Sequence, residues 1–406
     1  MRKPARTIAV LGCLVALLPA CSPGTERSSS ATTSTVHSSA AAPTTPSPTS
    51  APTSAPASLS PDPEAAVAMA LAGMDRRTRV AQLFVAGVRL DHLAAGAELA
   101  GTGVGGIFLA GRSGAAATDL AATVAGWQSA APGPDLWVAA DQEGGQVQTL
   151  RGPGFDALPS ALQQGALPAP GLAALADRLG ASLISAGMNL DLAPVADVVP
   201  AGTAQANPPI GVFDRQYGST PDVVVAAAGT VLGGLAGHGV TATLKHFPGL
   251  GRVQQNTDTT AHVVDGTTAA GDGQVTAFGR LALSPARPFV MVSSAVYSRI
   301  DPTTEAVFSS SVLTGLLRTQ LGFPGVIITD DVGNAKAVQA VPAGERAVRF
   351  LAAGGTLVLT VDAQLVPQMV DAVLARSDSD PGFAAQVDSA LHTALLAKAH
   401  AGLLPG

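Results

Sequence analysis

The sequence predicts an α/β fold, a single closed (β/α)8 barrel of the TIM type, on three observations. Short apolar runs rich in β-branched residues alternate with longer Ala/Leu stretches of helical period. Eight such runs can be counted, the number of strands that closes a parallel barrel. Charged residues are only 13% of the chain, yet they gather just after those runs, where a barrel places its chemistry. A doubly wound open sheet is the alternative reading of the same alternation.

The first residues read as an export signal. Arg2, Lys3 and Arg6 form a positive segment, and Thr7 to Ala16 is apolar but too short to span a bilayer. Leu18-Pro19-Ala20-Cys21 resembles the end of a lipoprotein signal peptide, with Pro19 departing from the usual small residue there. On that reading residues 1–20 are removed, and Cys21 carries the lipid that anchors an exported protein to the outer face of the cell membrane. Cysteine usage agrees. The chain has 2 Cys, and Cys13 leaves with the signal. A lone remaining Cys cannot form an internal disulfide. Residues 21–63 are Ser, Thr, Ala and Pro with almost no apolar bulk, the composition of a disordered, Pro-stiffened tether.

Residues 64–406 form the expected barrel, long for one domain but within the range of that fold. The strand candidates are Leu83–Val88, Gly105–Leu109, Leu136–Ala139, Met188–Leu192, Val240–Leu244, Phe289–Ser293, Gly325–Thr329 and Thr356–Thr360. Helix candidates between them include Ala116–Ser129, Gly171–Ala186, Pro221–His238, Ser309–Leu321, Gly344–Ala353 and Leu365–Ala375. A net charge of −6 with no basic stripe argues against nucleic acid as a partner. No metal or cofactor is expected, and a monomer is.

The polar residues follow the strand ends in order. Asp141-Gln142-Glu143-Gly144-Gly145 follows the third strand, Asp191 and Asp197 the fourth, Lys245-His246 the fifth. Ser293-Ser294 follows the sixth, Thr329-Asp330-Asp331 the seventh and Asp362 the eighth. One acidic residue after a strand would be a helix cap, and Asp330 or Asp331 could partly serve so. The whole set is better explained by a site. The stretch after the fifth strand is the densest. Pro248, Gly249 and Gly251 force a loop, and the loop carries Arg252, Asn256, Thr257 and Asp258.

Together KHFPGLG, DQEGG and GVIITDD resemble glycoside hydrolase family 3, in particular its bacterial β-N-acetylglucosaminidases. The resemblance spans roughly Asp75 to Ala353. It implies retaining hydrolysis, through a covalent glycosyl-enzyme, of a terminal β-linked sugar on a small glycan or muropeptide. It implies that Asp330 is the nucleophile, a role a carboxylate can fill because it can attack and later leave. Asp331 is then a supporting residue or a cap. Asp141, Lys245 and His246 are implied to hold sugar hydroxyls. The segment Ile210 to Arg215 matches an IGDRSF-like motif with two residues inserted, which assigns Arg215 to the sugar as well.

Two departures stand out. An Arg of the family's DQEGG stretch is replaced by Thr149, and Arg151 is the candidate to substitute for it. The family's Asp-Ser-His triplet, whose His is the acid/base, falls on Asn256-Thr257-Asp258. A carboxyl can do that work if burial or a neighbouring negative charge raises its pKa, so Asp258 is the expected acid/base, with His262 the second candidate. Other readings stay open: a β-glucosidase of the same family, a sugar-binding lipoprotein with an impaired acid/base, and a metal-dependent hydrolase using His246, His262 and several Asp residues.

Overall fold

The computed structural model describes residues 62–404. The expected signal peptide, Cys21 and nearly all of the expected tether lie outside them. Asp62 caps the first helix, Pro63–Ala72, by accepting from the Glu64 N–H at 3.2 Å, and Pro at the first helical position lacks an N–H that would be orphaned there.

All eight expected strands form. They are β1 (Phe84–Arg89), β2 (Gly106–Ala110), β3 (Trp137–Ala140), β4 (Leu190–Asp191), β5 (Thr241–Phe247), β6 (Phe289–Val292), β7 (Ile327–Thr329) and β8 (Val358–Thr360). Each pairs in parallel with its predecessor from β2 to β7, and β8 pairs with β1, setting Val358 beside Phe84. Closure comes between β7 and β8, where Leu357 N–H donates to the Ile327 carbonyl at 2.9 Å and Thr329 N–H to that of Leu357 at 3.0 Å. A doubly wound sheet would reverse its strand order at a switch point. This one runs in chain order around a circle, so that alternative is set aside.

The strands are buried on both faces and most of their residues are apolar. Trp137 meets Phe289 edge to face, with ring centroids 5.1 Å apart. Five of the six expected helices form as α-helices within a few residues of expectation. The sixth, over Ser311–Gln320, is wound as a π-helix instead. The helix Pro381–His400 was not among the expected elements; it packs on the first helix, on Ala343–Ala352 and on Val366–Ser379.

Two strand boundaries bear on the site. β4 is shorter than expected because the Asn189 side chain replaces part of the ladder, accepting from Val138 N–H at 2.8 Å and donating to the Leu136 carbonyl at 2.9 Å. β5 is longer than expected, so Lys245 and His246 lie inside the strand rather than after it. Adjacent residues of a regular strand point to opposite faces. The register between β5 and β6 shifts between Leu244 and Phe247, and an irregularity of that kind re-aims side chains. Both Lys245 and His246 face the same cleft.

The loop after β5 is held at both ends. Near its start, Asp197 accepts from Leu250 N–H at 2.6 Å, and Asn207 donates to the carbonyls of Leu250 and Val253, both at 2.8 Å. Gly251 passes so close to the loop after β4 that a Cβ there would stand 2.0 Å from the Val198 carbonyl oxygen. Further on, the carbonyls of Thr257 and Asp258 accept from Ala337 and Lys336 N–H at 3.0 and 3.1 Å. The loop is thereby tied to the segment that follows β7.

Candidate active site

A cleft of about 480 Å³ opens at the C-terminal ends of the strands. It brings together Asp141, Arg215, Lys245, His246, Asp258 and Asp330, with Asn256 and Asp331 beside them. A second cavity of about 490 Å³ lies where the strands begin, lined by Trp137, Thr241, Phe289 and Val326. No carboxylate lines that one. The convergent polar groups that mark a ligand site are at the opposite end.

The core of the site is an ion cluster built from three successive loops and strands. Glu143 accepts from Arg215 in bidentate fashion, Nε to Oε2 at 2.8 Å and a terminal nitrogen to Oε1 at 2.7 Å. Lys245 Nζ lies 2.7 Å from Glu143 Oε1 and 2.5 Å from Asp141 Oδ1, bridging the two carboxylates. Arg215 also donates to the Pro209 carbonyl at 2.8 Å. Burial alone would raise the Glu143 pKa, but Arg215 and Lys245 outweigh it and bring it down to about 2. Burial opposes the charge on Lys245 and on Arg215 too, and the facing carboxylates reverse that, so both are raised. The glycines of the motif make the hairpin possible: Gly144 and Gly145 have φ of 105° and 55°, where other residues are strained.

His246 is fixed from below. Its Nδ1 lies 2.7 Å from Asp197 Oδ2, and its backbone N–H donates to Asp197 Oδ1 at 3.2 Å. Its Nε2 is left facing the cleft, 3.5 Å from Arg215. Asp191, fully buried under the cleft, accepts from Gln142 N–H, while its Oδ2 has no partner. Burial pushes its pKa up to about 8.

Asp330 stands at the end of β7, its Oδ1 accepting from Asp331 N–H at 2.8 Å. Asp331 caps no helix; it holds the turn after β7 and the end of β8, accepting from Gly333, Asn334 and Val361 N–H at 2.8, 3.2 and 2.9 Å. Burial, with the neighbouring Asp330, raises its pKa. Asp258 belongs to an exposed loop position, but its carboxyl overhangs the cleft. Crowding by protein, then the negative charge of Asp330, push its pKa up to about 6.

One expected site residue, Arg151, and one second candidate, His262, stand elsewhere. Arg151 does not reach the cleft: its guanidinium is taken up by the carbonyls of Gln148 and Gly145, both at 2.9 Å. Besides Arg215, the arginine that lines the cleft is Arg112, which donates to the Gln146 carbonyl at 2.5 Å. It follows β2 by two residues and so obeys the same positional rule as the acidic residues, but a search for carboxylates passes over it. His262 lines a separate cavity with Arg252, Gln254 and Gln255, so it does not join His246. Among the described residues no group of His, Cys, Asp and Glu is placed to hold a metal ion. Asp362 caps a short turn by accepting from Gln364 N–H. Glu143 and Asp197 carry structural roles that motif spacing does not announce.

Removing one member of a buried ion cluster typically costs about 3–5 kcal/mol, because the partners are left uncompensated. Glu143→Gln should lower unfolding stability by roughly that amount at neutral pH. The sign with pH follows from the lowered pKa. The stabilisation from Glu143 is complete above its ordinary value of 4.5 and is lost as pH falls from there toward 2. Denaturation curves of wild type and variant should therefore converge across that window, and a constant gap would contradict the cluster.

A family model described as the glycosyl hydrolase family 3 N terminal domain matches residues 76–392. The chain is 35% identical over 286 residues to a β-hexosaminidase of Xanthomonas axonopodis pv. citri, covering 68% of this chain and 81% of the relative. Its structure is similar to that of a β-N-acetylhexosaminidase from Beutenbergia cavernae. That match has 46% identity and a TM-score of 0.77, and covers 80% of this chain and 98% of the other. It is also similar to a glycoside hydrolase family 3 β-N-acetylglucosaminidase from a Paenibacillus species, at 28% identity and a TM-score of 0.73, covering 82% of this chain and 64% of the other. The chain belongs to glycosyl hydrolase family 3 and is a glycoside hydrolase.

Proposed function

We propose that the protein is a retaining exo-β-N-acetylglucosaminidase that releases a terminal β-linked N-acetylglucosamine from a small glycan or muropeptide. The observation that carries this reading is a single sugar-sized cleft with Asp330 and Asp258 over a floor of Asp141, Lys245, His246 and Arg215. The names of the relatives support the sugar. The floor supplies both donors and acceptors, as a ring of hydroxyl groups requires.

In the first step Asp330 attacks the anomeric carbon and Asp258, protonated, gives its proton to the departing oxygen. The raised pKa of Asp258 suits a donor. Ester formation at Asp330 then removes one of the charges that hold Asp258 up, so Asp258 ionises more readily. In the second step it takes a proton from water, which attacks the glycosyl-aspartate and frees Asp330. An anionic acceptor such as phosphate would meet the ionised Asp258, at a cost of about 1–4 kcal/mol for charges about 4 Å apart. Water meets no such penalty, so hydrolysis rather than phosphorolysis is the expected outcome.

Asp330→Asn should lower kcat on the order of 10⁴-fold in a folded protein, and a fluorinated glycosyl donor should label Asp330 in the wild type. Labelling of Asp331, or near-normal turnover of the variant, would remove Asp330 from the mechanism. Product analysis with β-N-acetylglucosaminyl and β-glucosyl substrates tests the sugar, and preference for the second would make the protein a β-glucosidase.

Asp258→Ala should slow poor leaving groups by about 10²–10⁴-fold and activated aryl leaving groups far less, with azide restoring part of the second step. Wild-type kcat/KM on poor leaving groups should fall as pH rises through about 6, where the proton on Asp258 is lost. A profile flat through that region, or sugar 1-phosphate as the main product in phosphate buffer, would count against Asp258.

We further propose that the enzyme acts outside the cell, anchored by lipid on Cys21. Support is the sequence Leu18-Pro19-Ala20-Cys21. Stable anchoring takes more than one acyl chain. Cys21→Ala should shift the protein from the membrane to the soluble fraction, and a wild-type protein that starts elsewhere than Cys21 would refute the anchor.

A further inference from the structure

The segment Ile210–Arg215 sends Arg215 down to Glu143, but it also carries Val212 and Phe213, which the ion cluster does not use. Among the described residues Phe213 is the one exposed aromatic; every other Phe, Tyr and Trp there is buried. Phe213 is 36% exposed and Val212 beside it 40% exposed. Phe213 nevertheless lines the cleft. An aromatic ring buries its surface in a core when it can, so one held out at the mouth of a sugar-sized cleft is a binding feature before it is a packing one.

The backbone that carries the ring is held by the turn's own bonds. Gly211–Phe213 form one 3₁₀ turn, and Gly211 N–H donates to Asn207 Oδ1 at 2.8 Å. Arg215 N–H closes the turn on the Ile210 carbonyl at 3.1 Å. Between them Asp214 takes φ of 54°, a conformation that costs a non-glycine residue energy and that clusters at ligand-clamping sites. The turn contains the two residues inserted relative to the IGDRSF-like pattern.

We propose that Phe213 forms the stacking face of a subsite for the departing group, a pyranose ring on the far side of the scissile bond. This rests on the glycosidase reading above. The charged floor takes the hydroxyl groups of the terminal sugar, and those floor groups are buried or half-buried. Phe213 is at the mouth and so meets what projects outward. The negative face of its ring complements the weakly positive C–H face of a pyranose.

The test is kcat/KM of wild type, Phe213→Ala and Phe213→Trp on two substrates. One is a β-linked disaccharide of N-acetylglucosamine. The other is the corresponding glycosyl fluoride, whose leaving group has no ring. In Phe213→Ala the ratio of disaccharide to fluoride should fall about tenfold, the size of one good aromatic contact, chiefly through KM; Phe213→Trp should keep it. An unchanged ratio in Phe213→Ala, including a parallel loss on both substrates, overturns the subsite. If wild type prefers the β-glucosyl pair, the same ratio is read there, so a wrong sugar and a wrong subsite give different results. Wild type inert on both pairs removes the reading and the subsite with it.

Discussion

Glu143 sits between Arg215 and Lys245 with almost none of its side chain exposed, and the architecture of the cleft depends on that contact. Three charges taken out of water cost several kcal/mol each unless their geometry compensates. Here it does: the carboxylate receives a fork from Arg215 and a third donor from Lys245. The members come from the loops after β3 and β4 and from β5 itself. Binding them together sets the relative position of three neighbouring barrel segments, and Lys245 then has a second face for Asp141. The cost of burial is met within the protein, so the floor is formed before a sugar arrives.

Much of this was legible in the sequence, and the reasons for the misses are physical. Eight apolar runs separated by helical stretches become eight strands because period and length both speak for the element. Asp141, Lys245, His246 and Asp330, which sit in or next to their own strands, line one cleft, although Lys245 and His246 lie inside β5 rather than after it. Arg151 fails because a long side chain is assigned by its nearest acceptors, and two backbone carbonyls of its own hairpin lie closer than the cleft. Glu143 lies within a motif that announces no role for it, since its meaning comes from Arg215, 72 residues away. The helix Pro381–His400 shows the opposite case. Phe383, Val387, Ala390, Leu391, Ala394 and Leu395 are buried at helical spacing, and the pattern could be read beforehand.

Asp197 illustrates how a buried acid can serve without reacting. It accepts from the His246 ring, the His246 backbone and Leu250. With Asp197 taking the Nδ1 position, the ring's remaining nitrogen is the one presented to the cleft. The orientation of the imidazole and the start of the β5 loop are thus set by the same carboxylate.

The bonds from Lys336 and Ala337 to the carbonyls of Asp258 and Thr257 have a mechanical consequence. Asp258 arrives on the β5 loop and Asp330 on the end of β7, two parts of the chain that could drift independently. These bonds join the backbone that carries Asp258 to the segment that follows Asp330. Motion of the loop tip is confined to what lies between its two clamps, roughly residues 254–256, and to the turn after Thr259. The mouth beside Phe213 is the open side of the cleft, away from both clamps.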